Sequence, residues 1–357
     1  MIRYAVVGAG WISQEAFMPA VAATGNSRMQ AIVSGSPGPA RQLADFHGVP
    51  EVVGYDAYDE LINSDRIDAV YIALPNSMHA DYAIRALKAS KHAMVEKPLA
   101  TTLAESEAMI AAAKSSGALL MTAYRLHNEP GTLAALEAIR AGKIGQPVYF
   151  SSSFAFQSAL GNHRLQSAHW GGPLQDVGVY CLNSARHVFG EEPVEVQAMA
   201  SRPLDDPRFT EIDAHFAVTM RFPQGRLAQF FCSFGTEATE MYRVLGTEGE
   251  LTVNPGYRFE SAISLHLRRG SEVEVTHFPA VDHFSGQIAY FSDCIAAGTQ
   301  PEADGEEGMA DMRALLAIEV SIRTGVNVVV QTPARGRHPD ATLLRSFAPT
   351  TMRLLIS

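Results

Sequence analysis

The regular alternation of short apolar segments with helical segments in the first third of the chain constrains the fold most. The apolar segments are rich in β-branched and aromatic residues, and each is short enough for a buried strand. The predicted strands are residues 4–7, 29–33, 69–74, 92–95 and 119–123, and the predicted helices are residues 13–24, 39–47, 80–90 and 103–116. Continuous apolar strands separated by helices indicate a parallel sheet covered on both faces.

The pattern changes after about residue 125, where longer strands joined by turns predominate. The predicted strands are residues 148–156, 194–200, 214–222, 227–234, 242–245, 250–253, 264–267 and 272–278, with helices at 132–141 and 176–189. Strands connected by short turns favour an antiparallel sheet and an α+β domain. Two late helices, 286–297 and 306–324, are expected to pack across this sheet.

Length and composition limit the class of protein. A chain of 357 residues with 47% hydrophobic and 18% charged residues is typical of two globular domains. The net charge of −10 argues against a nucleic-acid partner, and no apolar run reaches the length of a membrane span. The three cysteines are far apart and no signal peptide is evident, which favours the cytoplasm.

The first strand ends in a glycine turn that opens a helix. The pattern is Gly8-x-Gly10-x-x-Ser13, with Trp11 and Ile12 inside it. Glycines allow a tight turn and close approach of a pyrophosphate, which the free N–H groups of the helix N-terminus attract. Ser13 replaces the third glycine of the usual pattern. The sequence therefore predicts an α/β fold with an N-terminal Rossmann domain (residues 1–124), a C-terminal α+β domain with a large, mostly antiparallel open sheet (125–330), and a tail (331–357) of uncertain packing.

The end of the second strand bears on the choice of cofactor. NAD-binding domains usually place an acidic residue there to bind the ribose hydroxyls. Here Ser34, Ser36 and Arg41 follow the strand and no acid does, so NADP(H) is favoured and NAD(H) stays possible. In the alternative interpretation, Arg41 is a solvated helix residue and the serines only form a turn.

Two further motifs follow strands, where an open parallel sheet binds its ligands. The first contains Leu74, Pro75, Asn76 and His79, and the second is Glu96-Lys97-Pro98. A lysine near a nicotinamide can bind a developing alkoxide and take part in proton exchange. The alternatives are a simple turn for the first motif and, for Lys97, a surface ion pair with Glu96.

Asp176 and Tyr180 form the third chemical motif, after Gly171-Gly172. At a spacing of four residues they share a helix face, and the phenol can act as a proton donor or acceptor. The alternative is a carboxylate that serves the helix dipole and a tyrosine packed between domains. The twelve histidines show no metal-binding spacing, so no metal site is expected.

Together these motifs resemble the Gfo/Idh/MocA family of nicotinamide-dependent oxidoreductases. The matching pieces are the glycine turn and residues 74–79, 96–98, 123–125 and 171–180. With tyrosine at position 180, the sequence is similar to the branch that includes glucose–fructose oxidoreductase, dimeric dihydrodiol dehydrogenase and some xylose dehydrogenases. Residues 124–130, 190–196 and 305–309 look most like glucose–fructose oxidoreductase.

The resemblance implies a role for each matched residue. Lys97 would be the catalytic lysine, Tyr180 the proton donor or acceptor, and Asp176 a substrate contact. Residues expected at the cofactor are Pro75, Asn76, His79, Glu96, Arg125 and Arg164, the last beside His163 where the branch has tryptophan.

The resemblance also implies a sugar or polyol substrate and a homodimer or homotetramer formed through the exposed sheet face. Two alternatives remain: a non-catalytic nicotinamide-binding regulator, and an enzyme like the dihydrodiol or xylose dehydrogenases.

Overall fold

The computed structural model describes residues 1–356, and its contacts divide the chain into two compact units. Unit 1 contains residues 1–129, 281–308 and the chain from Leu343 onward, and unit 2 contains residues 130–280 and 309–342. The predicted boundaries, 1–124, 125–330 and 331–357, differ from this division mainly because two late segments belong to unit 1.

Unit 1 is built on a parallel sheet of six strands in the order β3-β2-β1-β4-β5-β6. The strands are β1 (Ile2–Val7), β2 (Ser27–Val33), β3 (Glu51–Val53), β4 (Ala69–Ile72), β5 (His92–Glu96) and β6 (Leu120–Ala123). All residues of β4 are buried, as expected for a strand covered on both faces. The predicted α/β architecture is confirmed, and of these six strands the sequence analysis missed only the short β3.

Helices cover this sheet, and capping residues determine where one of them begins and ends. The helices of the first third are α1 (Met18–Ala23), α2 (Pro37–His47), α3 (Tyr58–Ile62), α4 (His79–Lys88) and α5 (Leu103–Ser116). Helix α5 has the predicted bounds because Thr102 and Glu105 form a reciprocal capping box at its start, and Gly117 ends it in a left-handed conformation.

Unit 2 contains the helices α6 (Pro130–Arg140) and α7 (Val179–Phe189) and a nine-stranded sheet ordered β14-β13-β12-β11-β7-β10-β9-β8-β15. The strands are β7 (Pro147–Gln157), β8 (Glu195–Ser201), β9 (His215–Arg221), β10 (Leu227–Ser233), β11 (Gly235–Gly246), β12 (Glu250–Val253), β13 (Ile263–Arg269), β14 (Glu272–Phe278) and β15 (Val328–Val329). Only β7 and β10 pair in parallel, which confirms the predicted mostly antiparallel sheet.

The prediction for the first of the two late helices is wrong. Helix α8 (His283–Ala297) belongs to unit 1 and does not cross the antiparallel sheet. Its Ser292 hydroxyl hydrogen-bonds the Tyr4 hydroxyl (2.9 Å) and the Ser27 hydroxyl (2.7 Å) at the parallel sheet. The helix also begins three residues earlier than predicted, because Asp282 accepts hydrogen bonds from the Phe284 and Ser285 N–H groups.

The last long helix is α9 (Gly305–Thr324), of which residues from Met309 onward lie in unit 2. Its Asp311 accepts hydrogen bonds from Asn183 (3.0 Å) and Arg186 (2.6 Å) of α7. Arg186 is almost fully buried and also pairs with Glu192, so the charge is compensated inside the unit. Within residues 1–356, no helix combines the length and the apolar character that a membrane crossing requires.

Helix α7 packs against β10 through a glycine. Residues Leu174–Gly178 form a π-helical turn that leads into α7, and a Cβ on Gly178 would lie 2.9 Å from Cys232 Sγ and 3.2 Å from Leu174 Cδ1. Any larger residue would push the helix away from the sheet. The glycine of the Asp176-x-Gly178-x-Tyr180 motif is therefore explained by packing.

We expect Gly178→Ala to lower the free energy of unfolding by about 1–3 kcal/mol, because overpacking outweighs the gain in helix propensity. Chemical denaturation of both proteins measures the difference. The control is Gly336→Ala, since a Cβ at this exposed position meets nothing within 4 Å. Equal stability of Gly178→Ala and the native protein would contradict this account.

Candidate active site

The glycine turn follows β1 where the backbone approaches β4 closely. Gly8 has φ +95°, and a Cβ there would lie 2.5 Å from the carbonyl oxygen of Ala73. The Gly8 N–H also donates to Val33 O at 2.9 Å. Only glycine satisfies both the left-handed conformation and the contact. This confirms that Gly8 is required by the backbone.

The second glycine of the turn has a different environment. A Cβ on Gly10 would meet no protein atom within 4 Å, so packing does not require glycine there. The neighbouring Trp11 is 55% exposed and Ile12 is partly buried. Open space in front of a glycine at the start of a helix fits a pyrophosphate that approaches the backbone. The expected contact of these residues with a dinucleotide stays a prediction.

Ser13 compensates for the missing third glycine. It is fully buried at the start of a π-helical turn, Ser13–Phe17, and its hydroxyl donates to Gly8 O at 2.6 Å. The serine therefore ties the helix to the turn that precedes it. The small side chain fits the same tight packing that glycine allows elsewhere.

The end of β2 presents hydroxyl groups and an arginine. Ser34 is buried and its Oγ accepts from the Ser36 N–H at 3.1 Å, while Ser36 precedes α2. Arg41 is exposed in the first turns of that helix. The serines do form a turn, as the alternative interpretation had it, and Arg41 has a solvent-facing side chain. Their expected contact with a 2′-phosphate stays a prediction.

His79 joins the two strand-end motifs of unit 1. Its side chain is 1% exposed, with Nδ1 2.9 Å from Pro98 O and Nε2 2.9 Å from Leu74 O. Burial lowers the pKa of His79 despite these carbonyl contacts, and the charge of Lys97 lowers it further. A neutral ring has one N–H and donates only one of these two hydrogen bonds, while its close contacts with both carbonyls hold the loop after β4 near the loop after β5. Pro75 and Asn76, before α4, are partly buried.

Lys97 follows β5, between Glu96 and Pro98, and its peptide bond to Pro98 is cis. The Glu96 carboxylate accepts from the Tyr71 hydroxyl at 2.5 Å, and the Tyr71 ring stacks on Phe17 at 3.8 Å. Both Glu96 and Lys97 are partly buried. Tyr71 of β4 therefore fixes the Glu96 side chain, at the same end of the sheet as the glycine turn.

Arg125 lies in a short helical turn after β6 and is 7% exposed. Its guanidinium donates to His283 Nδ1 at 3.1 Å. Because arginine only donates, the ring proton of His283 is on Nε2. Burial and the adjacent arginine lower the pKa of His283, which keeps it neutral. The expected approach of Arg125 to the cofactor stays a prediction.

In unit 2, the segment 163–176 brings Arg164 to Asp176. Arg164 Nε lies 3.3 Å from Asp176 Oδ2, and both side chains are partly buried. A Cβ on Gly171 would clash with the carbonyl oxygens of Arg164 and Gln166, so glycine is needed for this loop to fold back on itself. The structure thus places Arg164 beside Asp176, the residue expected to contact the substrate. The expected contact of Arg164 with the cofactor stays a prediction.

This loop is anchored by Trp170, Gln175 and Glu319, to which the sequence analysis gave no role. Glu319 of α9 accepts from Trp170 Nε1 and from Gln175 Nε2, both at 2.7 Å. Burial raises the pKa of Glu319. No spacing rule links position 319 to positions 170 and 175, because the contact forms only through tertiary packing.

Tyr180 lies near the start of α7, one helical turn after Asp176, and is partly buried. Its ring packs on Phe154 (5.6 Å between centroids) and on Tyr257 (6.2 Å). Beneath it, the Ser152 hydroxyl contacts the Tyr257 hydroxyl at 2.7 Å. These aromatic neighbours restrict the orientation of the candidate proton donor.

Both halves of the chain match one family. Residues 2–124 match the oxidoreductase family with an NAD-binding Rossmann fold, and residues 132–252 match the GFO/IDH/MocA C-terminal domain. The chain is 30% identical to the D-xylose 1-dehydrogenase [NADP(+)] of Haloarcula marismortui, over 89% of this chain and 90% of that protein.

Solved structures agree with this match. The aldose-aldose oxidoreductase from Caulobacter crescentus, complexed with glycerol, has a TM-score of 0.87 and 33% identity, covering 92% of this chain and 99% of that one. A 3-ketoreductase from Actinomadura kijaniata, in complex with NADP and TDP-benzene, has a TM-score of 0.82 and 28% identity, covering 90% and 98%. With both of its domains matched and its architecture shared, the chain belongs to the GFO/IDH/MocA family of oxidoreductases.

Proposed function

We propose that the protein is an NADP-dependent oxidoreductase that acts on a hydroxyl or keto group of a sugar. The observation that carries the proposal is the meeting of three motifs at adjacent strand ends of unit 1. The glycine turn follows β1, the Leu74–His79 segment follows β4, and Lys97 follows β5, and these strands are neighbours in the sheet. Ligands of open parallel sheets bind at such ends.

The cofactor assignment rests on the second strand and on the relatives. The Haloarcula dehydrogenase uses NADP, and the Actinomadura reductase was solved with it. NAD-binding domains usually have an acidic residue after the second strand, which would repel a 2′-phosphate. This chain has Ser36 and Arg41 in that segment and no acidic residue. The bound nicotinamide accepts or gives a hydride, and the chain supplies the groups that bind the cofactor and move the substrate proton.

The sugar substrate is supported by the relatives' activities, which include xylose oxidation and aldose conversion. In this proposal Lys97 holds the reacting oxygen and Tyr180 exchanges its proton. Asp176, paired with Arg164, binds a neighbouring hydroxyl. A carboxylate beside a guanidinium offers both an acceptor and a donor, which suits a hydroxyl group that is both.

We expect Lys97→Met and Tyr180→Phe each to reduce kcat by 100-fold or more, as loss of a proton-transfer group typically does. Turnover of D-xylose and other aldoses is followed at the NADPH absorbance. Lys88→Met and Tyr149→Phe make the same chemical changes at a helix end and on the sheet, and should leave kcat nearly unchanged. Near-native kcat in both site variants would refute the catalytic assignment.

We expect Arg41→Ala to raise KM for NADP about 10-fold and leave KM for NAD within a factor of two. Loss of a charge-assisted hydrogen bond to a phosphate accounts for the change. The exposed Arg28 on β2 provides the control, Arg28→Ala. Equal effects on both cofactors would show that Arg41 does not recognise the 2′-phosphate.

We further propose that the protein assembles as a homodimer or homotetramer through the open face of the unit 2 sheet. One cross-strand row on this face contains Met199, Ala217, Phe231, Ser153 and Met241. Met199 is 76% exposed. Such an uncharged row on a broad sheet suits contact with a second copy.

Met199→Glu should therefore lower the molar mass measured by light scattering towards that of one chain. A charge placed in an apolar interface is costly to desolvate. Leu204→Glu changes a fully exposed leucine outside the sheet and should not alter the assembly. An unchanged mass for Met199→Glu would remove this row from the interface.

A further inference from the structure

Gln14 links the glycine turn to a distant part of the chain. Its side chain is 6% exposed, and Nε2 donates to the carbonyl oxygen of Ala9 at 2.7 Å. Ala9 lies between the two glycines of the turn. The Gln14 backbone N–H donates to Gly10 O at 3.1 Å, so one residue holds two consecutive carbonyls of the turn.

The other partner of Gln14 is the segment near residue 356. The Ile356 N–H donates to Gln14 Oε1 at 2.6 Å, and Gln14 Nε2 lies 3.3 Å from Ile356 O. The side-chain amide therefore pairs with both the backbone N–H and the backbone C=O of Ile356, as a residue on a neighbouring strand would. Arg353 adds a second attachment, since its Nε donates to Glu15 O at 2.9 Å.

The same segment is fixed to unit 1 before it reaches Gln14. The Asp282 N–H donates to Phe347 O at 2.9 Å, and Arg345 Nε donates to Asp293 Oδ2 at 3.0 Å. A Cβ on Gly286 would lie 2.8 Å from Arg345 O, so glycine lets the segment pass close to α8. Residues 345–356, called the strap below, thus run along α8 to the helix that follows the glycine turn.

We propose that the strap, acting through Gln14, positions the glycine turn for dinucleotide binding. The proposal rests on the proposed binding of NADP(H) at this turn. Glycine-containing loops lose much conformational entropy when they are ordered, and a loop held in its bound shape before binding gives higher affinity. By linkage, bound dinucleotide should in turn hold the strap more tightly. Gln14 is a positioning residue in this account.

The test measures the Kd of NADPH by its fluorescence with full-length variants. Ile356→Pro removes the N–H that Gln14 accepts, and we expect it to raise the Kd about 5- to 10-fold, the effect of losing one or two neutral hydrogen bonds. The kcat at saturating cofactor should change less than twofold. Leu355→Pro is the matched control, because Leu355 is exposed and makes none of the contacts with Gln14.

A double-mutant cycle tests whether the strap acts on the glycine turn through Gln14. Gln14→Leu should raise the Kd by at least as much as Ile356→Pro, and adding Ile356→Pro to it should have no further effect. Gln14→Glu keeps the acceptor for Ile356 but loses the donor to Ala9, so it should also weaken binding. Native affinity in Ile356→Pro, or additive effects in the double variant, would overturn the proposal.

Hydrogen exchange provides a measurement that needs no substitution. In the native protein, saturating NADPH should slow exchange of the strap amides, Ile356 included, at least about threefold. Unchanged exchange would overturn the proposal even if Gln14→Leu failed to fold. Failure of the native protein to bind NADPH at all would instead refute the proposed function.

Discussion

The close approach of the backbone at Gly8 to the carbonyl of Ala73 is the constraint on which the rest of unit 1 depends. With 2.5 Å between that oxygen and any Cβ, β1 and β4 can end side by side only if the residue is glycine. The turn then opens a helix whose first residue, Ser13, is hydrogen-bonded back to Gly8. On the other side of β4, the buried ring of His79 ties the next loop to Pro98, beside Lys97. Three strand ends are thus fixed to one another by short contacts.

In unit 2, different contacts hold the candidate residues in place. Of its candidate residues, Arg164 lies on a loop, and Asp176 and Tyr180 lie at the start of a helix. The glycine at 171 lets the loop pack closely, and Glu319 holds Trp170 and Gln175 from another helix. Gly178 brings the helix onto β10. Asp176 and Tyr180 are therefore positioned by packing and by one partly buried carboxylate, that of Glu319.

Local signals predicted most elements correctly. The bounds of α5 could be read from Thr102, Glu105 and Gly117, because a capping box and a left-handed glycine act within a few residues. Helix α8 was predicted as a helix but assigned to the wrong sheet, since its apolar face does not specify a partner. The strand β11 was predicted as four residues and extends from Gly235 to Gly246, because its first half is polar and is stabilised by pairing with β7.

The sequence by itself determined the two-domain α/β and α+β architecture, the family, and the positions of the glycine turn, Lys97 and Tyr180. These follow from periodicity and from motifs, which involve residues close together in the chain. Tertiary structure alone decided that the His79 ring contacts the carbonyl of Pro98, that Arg164 pairs with Asp176, and that Gln14 accepts a hydrogen bond from the Ile356 N–H. Each of those contacts depends on the distance between side chains that packing brings together, and no spacing along the chain encodes that distance.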